Sequence, residues 1–153
     1  MSVVYVEGHA DRTLLELLGI GNDVCVAGGK GKVIRRVAKE PAAVGLVDDD
    51  PSAAIPRAME QFQCLDSFGQ IVRLQHPGTG GYLIVICPRL EEWLYARAEA
   101  SGLDPTQYGL PSDPRGLHRR PRYHRHQGFR KLVSDLVERD PQLQKLRDWI
   151  ARD

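Results

Sequence analysis

Two short apolar runs, each closed by carboxylates, limit what this chain can fold into more than any other feature. Val3-Val4-Tyr5-Val6 leads into Glu7-Gly8-His9-Ala10-Asp11, and Val44-Gly45-Leu46-Val47 leads into Asp48-Asp49-Asp50-Pro51. A run of four or five β-branched and aliphatic residues bounded by Gly or Pro reads as a strand buried on both faces. Acid placed directly after such a strand lies at its C-terminal edge, which is where open α/β sheets bind ligands. If the two strands are neighbours, Glu7, Asp48 and Asp50 converge, and like charges held that close do not all stay ionised without a cation. Mg2+ suits them, being a hard ion that takes oxygen ligands and keeps several waters; Mn2+ is the substitute.

The chain has 153 residues, which predicts one domain with a sizeable core over residues 1–153. A net charge of +1 gives no overall field that would advertise nucleic acid or membrane, but the distribution is uneven: acid gathers at 48–50 and base at 115–131. No apolar stretch approaches the roughly 20 residues of a membrane span. The N-terminus enters a strand at once without a signal-peptide pattern, so a cytoplasmic location is expected. Three cysteines without paired spacing argue against a disulfide framework or a zinc site, and Cys25 and Cys87 are expected as buried free thiols.

In chain order, Val3–Val6 is the first strand. Asp11 is expected to cap a helix from about Arg12 to Leu18, stopped by Gly19 and Gly21. Asp23–Ala27 is a second strand, followed by Gly28-Gly29-Lys30-Gly31-Lys32 and a helix through Val33, Ile34 and Val37 that ends before Pro41. Ala43–Val47 is the third strand. Pro51-Ser52 reads as a turn or helix start, and residues 52–62 as a short helix interrupted by Pro56. Ile71–Gln75 and Tyr82–Cys87 flank a Pro/Gly-rich turn and read as a hairpin whose second arm is a central strand. A helix follows over Leu90–Ala100, with Leu90, Trp93 and Leu94 at helical spacing and Trp93 in the core. Four prolines make 102–122 a long irregular segment. Phe129, Leu132, Val133, Leu136 and Val137 mark an amphipathic helix broken by Pro141, and Leu143, Leu146, Trp149 and Ile150 mark the last one. The fold class expected is α/β: a mostly parallel central sheet with helices on both faces and a helical C-terminus. The core spans about 1–100, a basic Pro-rich loop about 102–127, and C-terminal helices about 128–152.

Phosphodiester hydrolysis needs an activated water, shielding of phosphate charge and help for the leaving oxygen, all of which bound Mg2+ supplies. Asp48 and Asp50, two apart at a strand end, can both turn toward one ion, while Asp49 points away and Glu7 reaches across from the adjacent strand. Against this stands the reading of three aspartates as a solvated turn, of Asp11 as a helix cap and of Glu91 as a first-turn carboxylate favoured by the helix dipole. The glycine-rich turn at 28–32 lacks the spacing of a P-loop. The run Arg115 to His126 carries Arg119, Arg120, Arg122, Tyr123 and Arg125, with Lys131 just beyond. Bases interleaved with Tyr suit phosphate contact and base stacking, and equally a flexible loop paired with Asp104 and Asp113. His118, His124 and His126 lack cysteine partners for zinc, and the last two could form a pH-dependent patch.

Tyr5-Val6-Glu7-Gly8-His9-Ala10-Asp11 followed by Asp48-Asp49-Asp50 resembles a toprim domain. That family is shared by topoisomerases, bacterial primases, the small ribosomal-RNA maturase and the overcoming-lysogenization-defect nucleases. Pro88-Arg89-Leu90-Glu91-Glu92-Trp93-Leu94 resembles a proline–acid–aromatic segment of stand-alone toprim-like proteins. The resemblance covers roughly residues 3–97. It implies Mg2+-dependent phosphodiester chemistry on DNA or RNA, with Glu7 in acid/base work or metal binding. It also implies Asp48, Asp50, Asp11 and Glu91 as metal ligands. Pro51-Ser52-Ala53 stands where topoisomerases and the maturase carry a glycine, which favours the stand-alone side. No ATPase domain is attached, so an ATP-driven partner would be a separate chain. The alternative is a non-catalytic toprim-like module that binds nucleic acid or such a partner ATPase. A receiver-like phosphoacceptor domain fits less well, since Glu7-Gly8 and Pro88-Arg89 replace the acidic pair and lysine it needs.

Overall fold

A computed structural model describes residues 3–20, 23–50 and 54–151. The elements run β1 (Val4–Val6), α1 (His9–Leu17), β2 (Val24–Val26), α2 (Lys30–Lys39), β3 (Val44–Asp48), β4 (Gln63–Phe68), β5 (Ile71–Gln75), β6 (Tyr82–Ile86), α3 (Leu90–Ala100), α4 (Pro114–Arg119), α5 (Gln127–Arg139) and α6 (Pro141–Ala151), with 3-10 turns at Arg57–Gln61, Pro105–Tyr108 and Tyr123–Arg125. Six strands form one sheet in the order β2-β1-β3-β6-β5-β4. The four strands β2, β1, β3 and β6 are parallel, and β5 and β4 complete the sheet antiparallel. The chain is thus an α/β fold on a mostly parallel sheet, as expected.

Side chains that alternate along each strand feed two cores. Val4, Val6, Val44, Leu46, Ile84 and Ile86 face α1, α3, α5 and α6. Tyr5, Val47, Leu83 and Val85 face Val33, Ile34 and Val37 of α2. Both faces are therefore covered, which is why the parallel strands read as continuous apolar runs. The α2 layer sits very close to β3: a Cβ on Gly45 would lie 2.7 Å from Val33 and 2.8 Å from Val37. Only glycine admits that approach. On the other face Trp93 is fully buried and its indole N–H donates to Gln142 Oε1 at 2.9 Å, tying α3 to α6.

Four expectations need correction. Asp11 is not the cap of α1. The helix begins at His9 with Gly8 as cap, and Asp11, two residues further in, accepts the Gly8 N–H at 3.2 Å. Cys25 is exposed because β2 is a short edge strand beyond the cover of α2, and Cys87 is only half-buried. The hairpin sets one antiparallel strand, β5, beside β6, but it is not the edge of the sheet, because an unexpected strand, Gln63–Phe68, pairs antiparallel outside it. That edge strand is exposed on both faces and carries no apolar alternation for a pattern to detect. The segment 102–122 contains α4, whose Asp113 side chain accepts the Gly116 N–H at 2.7 Å and whose Pro114 occupies the first turn. Gly21 and Pro51-Ser52-Ala53, read as a helix stop and as a turn, lie outside the described residues. Among the described residues, no helix is long and apolar enough to cross a membrane.

Candidate functional site

Strand order decides the site. β2 swings to the outside, so β1 and β3 become parallel neighbours with Val6 opposite Leu46. Their C-terminal ends release Glu7 and Asp48 side by side, and Glu7 Oε2 accepts the Asp48 backbone N–H at 2.8 Å. β6 lies on the other side of β3 and hands the chain to α3 through Pro88 and Arg89. The first N–H of α3, that of Leu90, donates to Asp48 Oδ2 at 3.2 Å. The remaining oxygen, Asp48 Oδ1, is buried without a hydrogen-bond partner. A buried acceptor left unpaired costs on the order of 1–3 kcal/mol, so an atom of this kind calls for an occupant.

Two further carboxylates close around this pair. Asp11 from α1 and Glu91 from the first turn of α3 are both buried. Glu7, Asp11, Asp48 and Glu91 line one cleft of about 360 Å³, with Gly8, Gly28, Gly29 and Tyr123 completing its wall. Gly28 adopts φ +89°, a left-handed turn that lets β2 exit into α2 along this rim. Burial and mutual repulsion act together on the acids. Asp48 is pushed up to about 7, first by burial and then by the charge of Glu7. Asp11 is held well above the usual carboxylate range by burial, then by Asp48 and Glu7. Burial also raises Glu7, partly offset by the Asp48 N–H and by Lys30.

Asp50 goes elsewhere. Its Oδ1 accepts from Arg89 Nη2 at 2.9 Å, and it lines a neighbouring hollow rather than the cleft itself. Its charge still reaches Glu7 and raises it. Asp49 is exposed and lies 3.8 Å from the Cys87 thiol, away from the cleft. Among the described residues, no group of three or more His, Cys, Asp and Glu side chains is arranged as a ready-made metal cage.

The basic segment is distributed over several surroundings. Arg119 is exposed on α4 beside the hollow that contains Asp50, and Arg120 donates to the Gly109 carbonyl at 3.3 Å. Arg122 and Arg125 are exposed. Lys131 lines a different depression with Tyr108 and Gly128. Asp104 and Asp113 cap their own turns, at Thr106 and Gly116, instead of pairing with the run. Tyr123 does not stand out from the loop as a stacking platform. Its ring packs edge-to-face on Phe129 at 5.1 Å, and its side chain lines the cleft wall beside Glu91. Burial and the Glu91 charge hold that phenol protonated. His126 caps α5 by accepting the Gly128 N–H at 3.0 Å, so it does not form a patch with His124. His124 stacks on His9 at 5.7 Å, and its pKa is lowered by burial and by His9.

Sequence reasoning missed His118, whose Nδ1 lies 2.6 Å from Glu91 Oε1, and Arg89, which bridges Asp50 and Glu92. The contact between His118 and Glu91 joins residues 27 apart through the unexpected α4, and no local signal encodes it. Comparison with protein-family models, with curated proteins and with solved structures finds no match.

Proposed function

We propose that this protein is a toprim-like, Mg2+-dependent enzyme of phosphodiester chemistry acting on nucleic acid. The observation that carries the reading is the Glu7–Asp48 pair at adjacent C-terminal strand ends, with Asp48 Oδ1 buried and unpartnered. That donor set fits a hard divalent cation. Hard oxygen ligands crowd one cleft, each raising the proton affinity of its neighbours, and a cation relieves what protonation otherwise must. Mg2+ is commonly held by one or two carboxylates plus waters and substrate oxygens, so a complete protein cage is not required.

In this reading Asp48 and Glu7 hold the metal, with Asp11 and Glu91 available to it from α1 and α3. When bound, the metal supplies a nucleophilic water and shields the phosphate charge. The residues themselves do the rest. The Leu90 N–H and the Asp48 N–H fix the two principal carboxylates, so that little reorganisation remains when substrate arrives. Glu7, with its raised proton affinity, is placed to take a proton at its carboxylate. Asp50 acts through Arg89, orienting that guanidinium at the rim. Exposed arginines of the 119–125 segment contact phosphates.

The test is cleavage of end-labelled single- and double-stranded oligonucleotides with Mg2+ or Mn2+. The parent chain is expected to cleave, and Glu7→Gln and Asp48→Asn to lose activity by 100-fold or more while remaining folded by circular dichroism. Unchanged cleavage in either variant contradicts the assignment. The lack of a ready-made cage favours one competing reading, a binding module without turnover. It predicts salt-dependent oligonucleotide binding with no cleavage under any divalent cation.

A further inference from the structure

A second hollow adjoins the carboxylate cleft and shares Glu91 with it. It measures about 480 Å³ and lies between the N-terminal end of α3 and the exposed side of α4. One wall is acidic, formed by Asp50, Glu91 and Glu92, and each of these carboxylates already has a side-chain partner. Asp50 and Glu92 both pair with Arg89, at 2.9 and 3.1 Å, and Glu91 meets His118 at 2.6 Å. The opposite wall carries Arg115 and Arg119, one helical turn apart and both exposed. Neither has an ion-pair partner within 4.0 Å among the described residues. The buried Leu117 between them anchors α4, so these two cations stand on a fixed element and not on a loose loop.

We infer that this hollow is a single-strand subsite: Arg115 and Arg119 grip the backbone phosphates of the nucleotide next to the one at the carboxylate cleft. The inference rests on the reading of the cleft as the phosphodiester site and adds to it the form of the substrate. A hollow of this size is that of a small-ligand pocket. It takes one nucleotide at a time, and a duplex must lie across its mouth. Among the described residues that line it, the one ring is His118, already held by Glu91, and no Phe, Tyr or Trp offers a stacking face, so recognition is of sugar and phosphate more than of the base. Through the hydrogen bond of His118 to Glu91, α4 also fixes how far the strand stands from the cleft.

The experiment measures binding of a fluorescent oligothymidylate by anisotropy, in chelator so that no turnover occurs, across a salt series. The parent is compared with Arg115→Gln/Arg119→Gln and with Lys39→Ala, an exposed cation at the end of α2 and outside the hollow. Loss of two phosphate contacts on a single strand is expected to reduce the magnitude of the salt slope by about 1.4, with Lys39→Ala leaving it in place. A blunt duplex of the same length is expected to compete at least tenfold less well. An unchanged slope in the double variant, or equal competition by duplex, overturns the proposal. Since no metal is present, a failure here leaves the carboxylate reading standing. Conversely, a normal slope change without any metal response at Asp48 removes that reading and keeps the strand subsite.

Discussion

Asp140 and Asp48 are both shielded aspartates beside helix N-termini, and they live in opposite surroundings. Asp140 is 1% exposed, yet both its oxygens are satisfied. One accepts from Arg97 at 3.3 Å, and the other accepts the N–H groups of Gln142 and Leu143 at 3.0 and 3.1 Å, capping α6. Asp48 has one oxygen on the Leu90 N–H and the other on nothing, with Glu7 as a like-charged neighbour. The first arrangement stabilises the fold. The second opposes it, and arrangements of that kind gather at functional sites.

Substitutions at the two positions should therefore move stability in opposite directions. The largest effect is expected for Asp140→Ala, which uncaps α6 and strips Arg97 of its partner. A loss of roughly 3–5 kcal/mol in urea unfolding is expected, as for other broken buried pairs. A loss under 1 kcal/mol would erase the contrast. Asp48→Asn should instead raise the stability of the metal-free chain at pH 8, by on the order of 2 kcal/mol. The sign follows from linkage. The folded-state pKa of about 7 lies above the unfolded value of 3.8, so the contribution of Asp48 is fully present below pH 3.8 and is lost as pH rises through 7. The difference between variant and parent should accordingly shrink from pH 8 to pH 5, and a pH-independent difference would contradict it. The smallest effect is expected for Tyr123→Phe, which removes a largely buried hydroxyl from the cleft wall beside Glu91 while keeping the ring on Phe129. About 1 kcal/mol is expected from differential scanning calorimetry. A base-stacking role alone would leave stability unmoved.

The same contrast explains what was legible in the residues. β1, β3 and β6 are buried on both faces, so hydrophobic runs alone reveal them, and acid at two of their ends marks a candidate site. That Glu7 meets Asp48 depends on β2 leaving the space between β1 and β3, a matter of strand order and not of spacing. Asp48 and Asp50 were expected to turn together, but Arg89 at the end of β6 draws Asp50 aside. Nothing local to 48–50 announces an arginine some forty positions on. β4 is exposed on both faces and α4 has six residues, too little buried surface in either to leave a periodic trace. The Asp113-Pro114 pair was the available hint of α4, since it joins a capping acid to a first-turn proline. Asp140-Pro141 carries the same hint for α6, whereas the pairing of Asp140 with Arg97, on a different helix, leaves no local signal.

The most direct measurement is the thermal stability of the parent chain and of Asp48→Asn at pH 8 across a titration of Mg2+ and Mn2+. A cation that binds only the folded chain stabilises it by about 2.7 kcal/mol at a hundred times its Kd. If Asp48 helps to hold the cation, Tm rises progressively in the parent and stays flat in the variant. A flat response in the parent, or equal rises in both proteins, would contradict that role.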